Sequence, residues 1–91
     1  MYQLELSNTF KKEFQRMLKR GHDGELLLSV VDLLLAEKKL PEKCRPHKLS
    51  GSYGGFWDCH VKPDWVLIYE LDEKNKKLTL VRTGTHSDLF R

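Results

Sequence analysis

Seven consecutive positions, Trp65-Val-Leu-Ile-Tyr-Glu-Leu71, are apolar with the single exception of Glu70. An apolar run of that length bounded by turn signals reads as a central strand covered on both faces. Before it, Tyr53 to Val61 reads as a strand and Lys62-Pro63 as a tight turn. After it, the charged residues Asp72 to Lys77 around Asn75 form the next turn, Leu78 to Thr83 the last strand, and a short tail follows. Three successive strands of this kind make an antiparallel meander.

The first half of the chain carries a different period. Tyr2, Leu4 and Leu6 alternate with Gln3 and Glu5, which predicts a short strand with one buried face. Ser7, Asn8 or Thr9 can cap a helix in which Phe10, Phe14, Met17 and Leu18 share a core stripe, with Lys12, Arg16, Lys19 and Arg20 opposite. That basic stripe admits two readings, a solvated surface or a phosphate-facing one. Gly21 ends the helix, and His22, in the connector, has no assigned role. Glu25 to Lys38 predicts a second, well-buried helix through Leu26, Leu27, Val30, Val31, Leu34 and Leu35, with Lys38 and Lys39 at its negative end and Pro41 as the stop. Residues 41–52, with Lys43, Arg45, His47 and Lys48, read as a basic loop. The expected architecture is α+β, strand-helix-helix-strand-strand-strand: a largely antiparallel four-stranded sheet packed by two helices, in one domain spanning 1–91.

Composition narrows the partners. With 91 residues, 40% of them hydrophobic and 32% charged, the chain can bury a core without staples. The longest apolar stretch, Leu26 to Ala36, is broken by Ser29 and Asp32 and falls short of the roughly 18 residues of a membrane span. No signal peptide is recognisable, so a cytoplasmic protein without a membrane partner is expected. Cys44 and Cys59 form no CxxC pair and read as free thiols. The formal net charge of +3 permits an RNA or an acidic protein as partner without requiring one.

Chemistry concentrates at the C-terminal end. His60-Val-Lys-Pro-Asp64-Trp65 and Arg82-Thr-Gly-Thr-His86-Ser-Asp-Leu-Phe90 gather two histidines, with His47 just upstream. The hairpin turn brings His60 near Trp65 with Asp64 on its rim, and the third strand delivers Arg82 and His86 to the same neighbourhood. Cleavage of RNA through its own 2'-hydroxyl needs a base for that proton, positive charge for the phosphorane and an acid for the 5'-oxygen. Histidine, arginine and a second histidine or aspartate supply all three, and Trp65 and Phe90 can stack on bases. Each residue also has a structural reading. Trp65 can be core, Phe90 can pin the C-terminus, Asp64 can be a turn residue, and Arg82 can pair with Glu70 or Asp58 across strands. His60, Asp64 and His86 are legitimate metal ligands, yet no recognised ligand spacing is present, so neither metal nor cofactor is expected.

The stretch His47-Lys-Leu-Ser-Gly51 through Trp57-Asp-Cys-His60-Val-Lys-Pro-Asp64-Trp65-Val-Leu-Ile-Tyr69, with Arg82-Thr-Gly-Thr-His86-Ser-Asp-Leu-Phe90, resembles the YafQ-type toxins of the RelE superfamily over about half the chain. The resemblance implies a RelE-like fold and a ribosome-dependent, metal-independent endoribonuclease of a type II toxin-antitoxin pair, cutting messenger RNA in the A site of the 70S ribosome. It implies His60, Asp64 and His86 as catalytic residues, His47, Trp65 and Phe90 as RNA contacts and Arg82 as a phosphate contact; Lys48 joins the RNA contacts on its own charge. It also implies a DinJ/RelB-like antitoxin, with operator DNA reached only through that complex; charge suggests that an acidic antitoxin segment folds along the Lys12, Arg16, Lys19 and Arg20 surface or beside Arg45 and Lys48.

The chain departs from the pattern at two positions. Trp57 stands where many relatives have an arginine before the acidic residue, and Lys48 where a proline is common, so grip on the substrate shifts toward Arg82, Lys48 and Lys62. Two other classes remain at this stage. One is a non-enzymatic poison like the ParE-type relatives that act on DNA gyrase, against which the three histidines argue; the other is an inactive antitoxin-binding module, which Trp57 leaves open.

Overall fold

The computed structural model describes residues 1–50 and 55–90. The chain runs β1 (Gln3–Leu6), α1 (Asn8–Lys19), α2 (Gly24–Leu35), a 3-10 turn (Glu42–Cys44), β2 (His47–Lys48), β3 (Trp57–Lys62), β4 (Trp65–Asp72), β5 (Lys77–Gly84) and α3 (His86–Leu89). The sheet has five strands in the order β1-β5-β4-β3-β2. β1 runs parallel to β5, and the remaining pairs are antiparallel. The apolar run is therefore a central strand, as its composition dictates: Trp65, Val66, Leu67, Ile68 and Tyr69 are all buried.

Three expectations need correction. The sheet has five strands, because two residues of the supposed basic loop, His47 and Lys48, pair with Asp58 and Trp57; a two-residue strand has no period to detect. The supposed tail contains α3, started by a capping box in which the Thr85 side chain accepts from Asp88 N while Asp88 accepts from Thr85 N. β1 buries neither of its leucines: Leu4 and Leu6 are exposed, and only the preceding Tyr2 enters the core. The N-terminal part of the second predicted strand, residues 53 and 54, lies outside the described residues.

The helices follow local chemistry closely. Ser7 caps α1 by accepting from Phe10 N. Its C-terminus closes with His22 N donating to Met17 O and Gly21 N to Leu18 O, around Gly21 at φ +94°. α2 stops at Leu35, three residues before the expected end, because Glu37 takes the left-handed conformation at φ 58° and Lys38 N turns back to Leu33 O. Glu37 is held there by the N-terminal amine and Lys76, each at 2.9 Å. Leu18 and Leu26, expected in the core, are exposed.

Alternation along β3 and β4 divides the sheet into two faces. Cys59, Trp65, Leu67 and Tyr69 pack with Phe10, Met17, Leu27, Val31 and Leu34 from the two helices. Val66 and Ile68 point the other way and form a smaller cluster with Leu89 of α3, flanked by Leu49, Phe56 and Val81. No helix among the described residues is long and apolar enough to cross a membrane.

Candidate active site

The face opposite α1 and α2 carries the polar cluster. In register, His60 pairs with Val66 and Asp58 with Ile68 on β4, while Asp58 pairs with His47 on β2, so His47, Asp58 and His60 stand beside one another. Between His60 and Lys62 the ladder carries a bulge, an extra residue that re-aims side chains at a sheet rim. Pro63 and Asp64 then close a two-residue turn, with Lys62 paired to Trp65. His60 Nδ1 lies 3.3 Å from Pro63 O; it carries the proton when it donates to that carbonyl, leaving Nε2 directed away.

α3 places His86 against this rim. Asp64 Oδ1 accepts from His86 Nδ1 at 2.9 Å and from His86 N at 3.2 Å. The double contact fixes ring orientation and holds the Asp64 carboxyl below the usual carboxylate range, the side-chain bond from His86 being the largest cause. The His60 and His86 ring centroids are 5.3 Å apart, and the Phe90 ring is 5.9 Å from His86 on its other side. Asp64, His86 and Phe90 are all exposed, so the cluster is open to a large ligand.

α3 is anchored from behind. Arg20, at the end of α1, donates to Asp88 Oδ2 at 2.9 Å, and this bond with those from Thr85 pulls the Asp88 carboxyl far below its ordinary value. Gly84 leaves the room needed: a Cβ there would lie 3.0 Å from Asp88 Cβ and Oδ2. The Thr85-x-x-Asp88 spacing was a readable signal for this helix.

Asp58 is the site residue that the sequence reading left without a role. It is 4% exposed, and burial pushes its carboxyl up while His47, His60 and His86 pull it down. His47 Nδ1 is 3.0 Å from Asp58 Oδ1 but is aligned on Arg45 O at 3.2 Å, so Oδ1 has no donor among the described residues. A signal existed in the sequence: strand alternation puts Asp58 on the same face as His60.

Other predicted residues stand elsewhere. Trp65 is fully buried, with Nε1 donating to Thr83 Oγ1 at 2.8 Å and the His22 ring 5.1 Å away, so it offers no face to a base and His22 acquires a packing role. Arg82 pairs with neither Glu70 nor Asp58. Its Nε donates to Glu13 Oε1 at 3.2 Å, its Nη2 bonds Glu13 Oε2, and Thr83 N also reaches Glu13, which is buried on α1 together with Phe10 and Met17. Lys48 lies 5.6 Å over the ring of Trp57, so the two departures from the family pattern contact each other.

Comparison with known proteins shows close relatives of the whole chain. The mRNA interferase toxin YafQ of Escherichia coli K12 is 40% identical over 88 residues, covering 96% of this chain and 94% of that protein. YafQ in the crystal structure of the E. coli DinJ-YafQ complex superposes with a TM-score of 0.91 at 38% identity, covering 100% of both chains. A metal-bound toxin from Helicobacter pylori gives a TM-score of 0.93 at 40% identity, covering 99% of this chain and 100% of that one. Among the described residues no three His, Cys, Asp or Glu stand close enough to hold one ion, and Asp64 accepts from His86 Nδ1. The family model for the YafQ bacterial toxins of type II toxin-antitoxin systems matches residues 2–91, and the chain belongs to that family.

Proposed function

We propose that this protein is an endoribonuclease that cleaves messenger RNA in the ribosomal A site and is silenced by a DinJ-type antitoxin. The observation that carries the reading is the apposition of His60 and His86, 5.3 Å between ring centroids, with Asp64 fixing His86. Two imidazoles at this separation can flank one phosphodiester. One removes the 2'-hydroxyl proton, the 2'-oxygen attacks phosphorus, and the other protonates the departing 5'-oxygen, leaving a 2',3'-cyclic phosphate. The geometry is compatible with either assignment of base and acid. Asp64 orients His86 by accepting from its Nδ1.

RNA grip comes from groups around the pair. Phe90, exposed beside His86, can stack on a neighbouring base, while on β2 Lys48 offers positive charge and His47 a hydrogen-bonding ring. Arg82 is neutralised by Glu13 and therefore supplies direction more than net charge. Trp65 leaves the contact set and becomes part of the support beneath it.

Mapping cleavage on a translated message tests the proposal. The expected result is cutting within codons at the A site, ends carrying a 2',3'-cyclic or 3'-phosphate, and no cutting of the same message free of ribosomes. A 3'-hydroxyl product would exclude the 2'-hydroxyl route, and equal cutting without ribosomes would exclude the A-site reading. Co-expression with the gene of an adjacent short antitoxin should restore growth and yield a co-purifying complex.

A further inference from the structure

Beside the cleavage cluster lies a cavity of about 630 Å³, within the roughly 300–1,000 Å³ of ligand sites. Lys43, Arg45 and Lys62 line it, Val61 and Pro63 give it apolar walls, and His60 is a wall it shares with the catalytic pair. The three cations come from two segments, the 3-10 turn with the residue after it and the end of β3. Arg45 is held in the left-handed conformation at φ 44°. None of the three has a carboxylate partner among the described residues, whereas Arg16, Arg20, Lys76, Lys77 and Arg82 all do. Three unpaired positive side chains around one concavity repel one another, and a polyanion relieves that cost.

We propose that this groove binds the sugar-phosphate backbone of single-stranded RNA flanking the linkage held between His60 and His86. The inference rests on the endoribonuclease reading for the position of the scissile phosphate. A strand whose phosphate lies at His60 must leave on one side or the other, and His60 is the common wall through which it enters the groove. Charge spaced along the polymer meets cations spaced along the cavity, and the ribose faces meet Val61 and Pro63. An acidic peptide also carries repeated negative charge, but nothing in its chemistry requires it to pass His60. His47, Lys48 and Phe90 do not line the groove, so it adds contacts that they do not supply.

The test measures binding of a short single-stranded oligoribonucleotide carrying 2'-deoxy sugars, which cannot be cut, by fluorescence anisotropy over a salt series. The Lys43→Gln/Lys62→Gln double variant changes only exposed side chains, and a melting curve identical to wild type confirms its fold. Weaker binding is expected, with the slope of log K against log salt reduced by about 1.4, since each phosphate contact on a single strand contributes about 0.7. An unchanged slope and affinity would overturn the proposal, as would tighter binding of polyglutamate than of the oligonucleotide with the same dependence on the two lysines. Failure of the cleavage reading is separable: wild type would then bind the oligonucleotide yet cut no message.

Discussion

The two faces of the sheet are built from the same strands and do opposite work. On the helix side, Cys59, Trp65, Leu67 and Tyr69 meet α1 and α2 in a continuous apolar core. On the other side, Val66 and Ile68 have, among the described residues, only Leu89 and three half-buried neighbours as cover, and the positions next to them hold Asp58 and His60. The first face has enough apolar area to stabilise the fold; the second is too thinly covered to do so. Stability and chemistry are therefore separated by the strand period of two, and substitutions on the two faces should have separable effects.

The largest effect on stability is expected from Leu67→Ala. Leu67 is fully buried on the helix face, so truncation should cost about 2–5 kcal/mol in denaturant unfolding, with the cleavage rate per folded molecule unchanged. Loss of that rate at full stability would collapse the distinction between faces. Phe90→Leu probes the other side. It keeps apolar volume but removes the flat ring, so cleavage should fall by an amount equivalent to about 1–3 kcal/mol while the melting temperature holds. A lowered melting temperature with normal cleavage would make Phe90 a C-terminal pin.

Trp65→Phe sharpens the boundary, because sequence reading placed this residue among the RNA contacts. It forfeits the bond to Thr83 and some packing, which predicts about 1–3 kcal/mol of lost stability and unchanged specific activity. A Kd for the uncleavable oligonucleotide raised tenfold by this variant would return Trp65 to the binding set.

Arg20→Gln should have the smallest effect, since the Arg20 side chain is 41% exposed and its ion pair is screened by solvent. Its pH dependence identifies it. The folded Asp88 carboxyl sits well below its ordinary value, so on acidification the unfolded chain takes up the proton first. The stability difference between wild type and variant should thus be full above about pH 5 and vanish in strong acid, as read from urea midpoints over that range. A difference that grows on acidification would contradict the pairing.

Sequence made the element order legible because period and turn chemistry are local. The apolar run, Pro63, the Ser7 cap and Gly21 each specify their own surroundings. What escaped was decided by partners distant in the chain: Glu13 on Arg82, Arg20 on Asp88, and the β2–β3 pairing that gathers His47 with Asp58. Of the expected site, the structure brings together His60, Asp64, His86 and Phe90, sets His47 alongside, and places Trp65 and Arg82 in supporting contacts. Burial of Trp65 could not be read from its type, since a strand-initial aromatic serves a core or a ligand equally well.

The central claim, that half-buried His60 and exposed His86 on the thinly covered face perform the cleavage, is tested most directly by His86→Ala, with A-site cleavage rate and melting temperature measured on the same preparation. Truncation of an exposed side chain leaves no core cavity, so stability should stay within about 0.5 kcal/mol while the rate falls by about 10² to 10⁴. A well-folded His86→Ala protein that cuts translated messages at the wild-type rate would contradict the account.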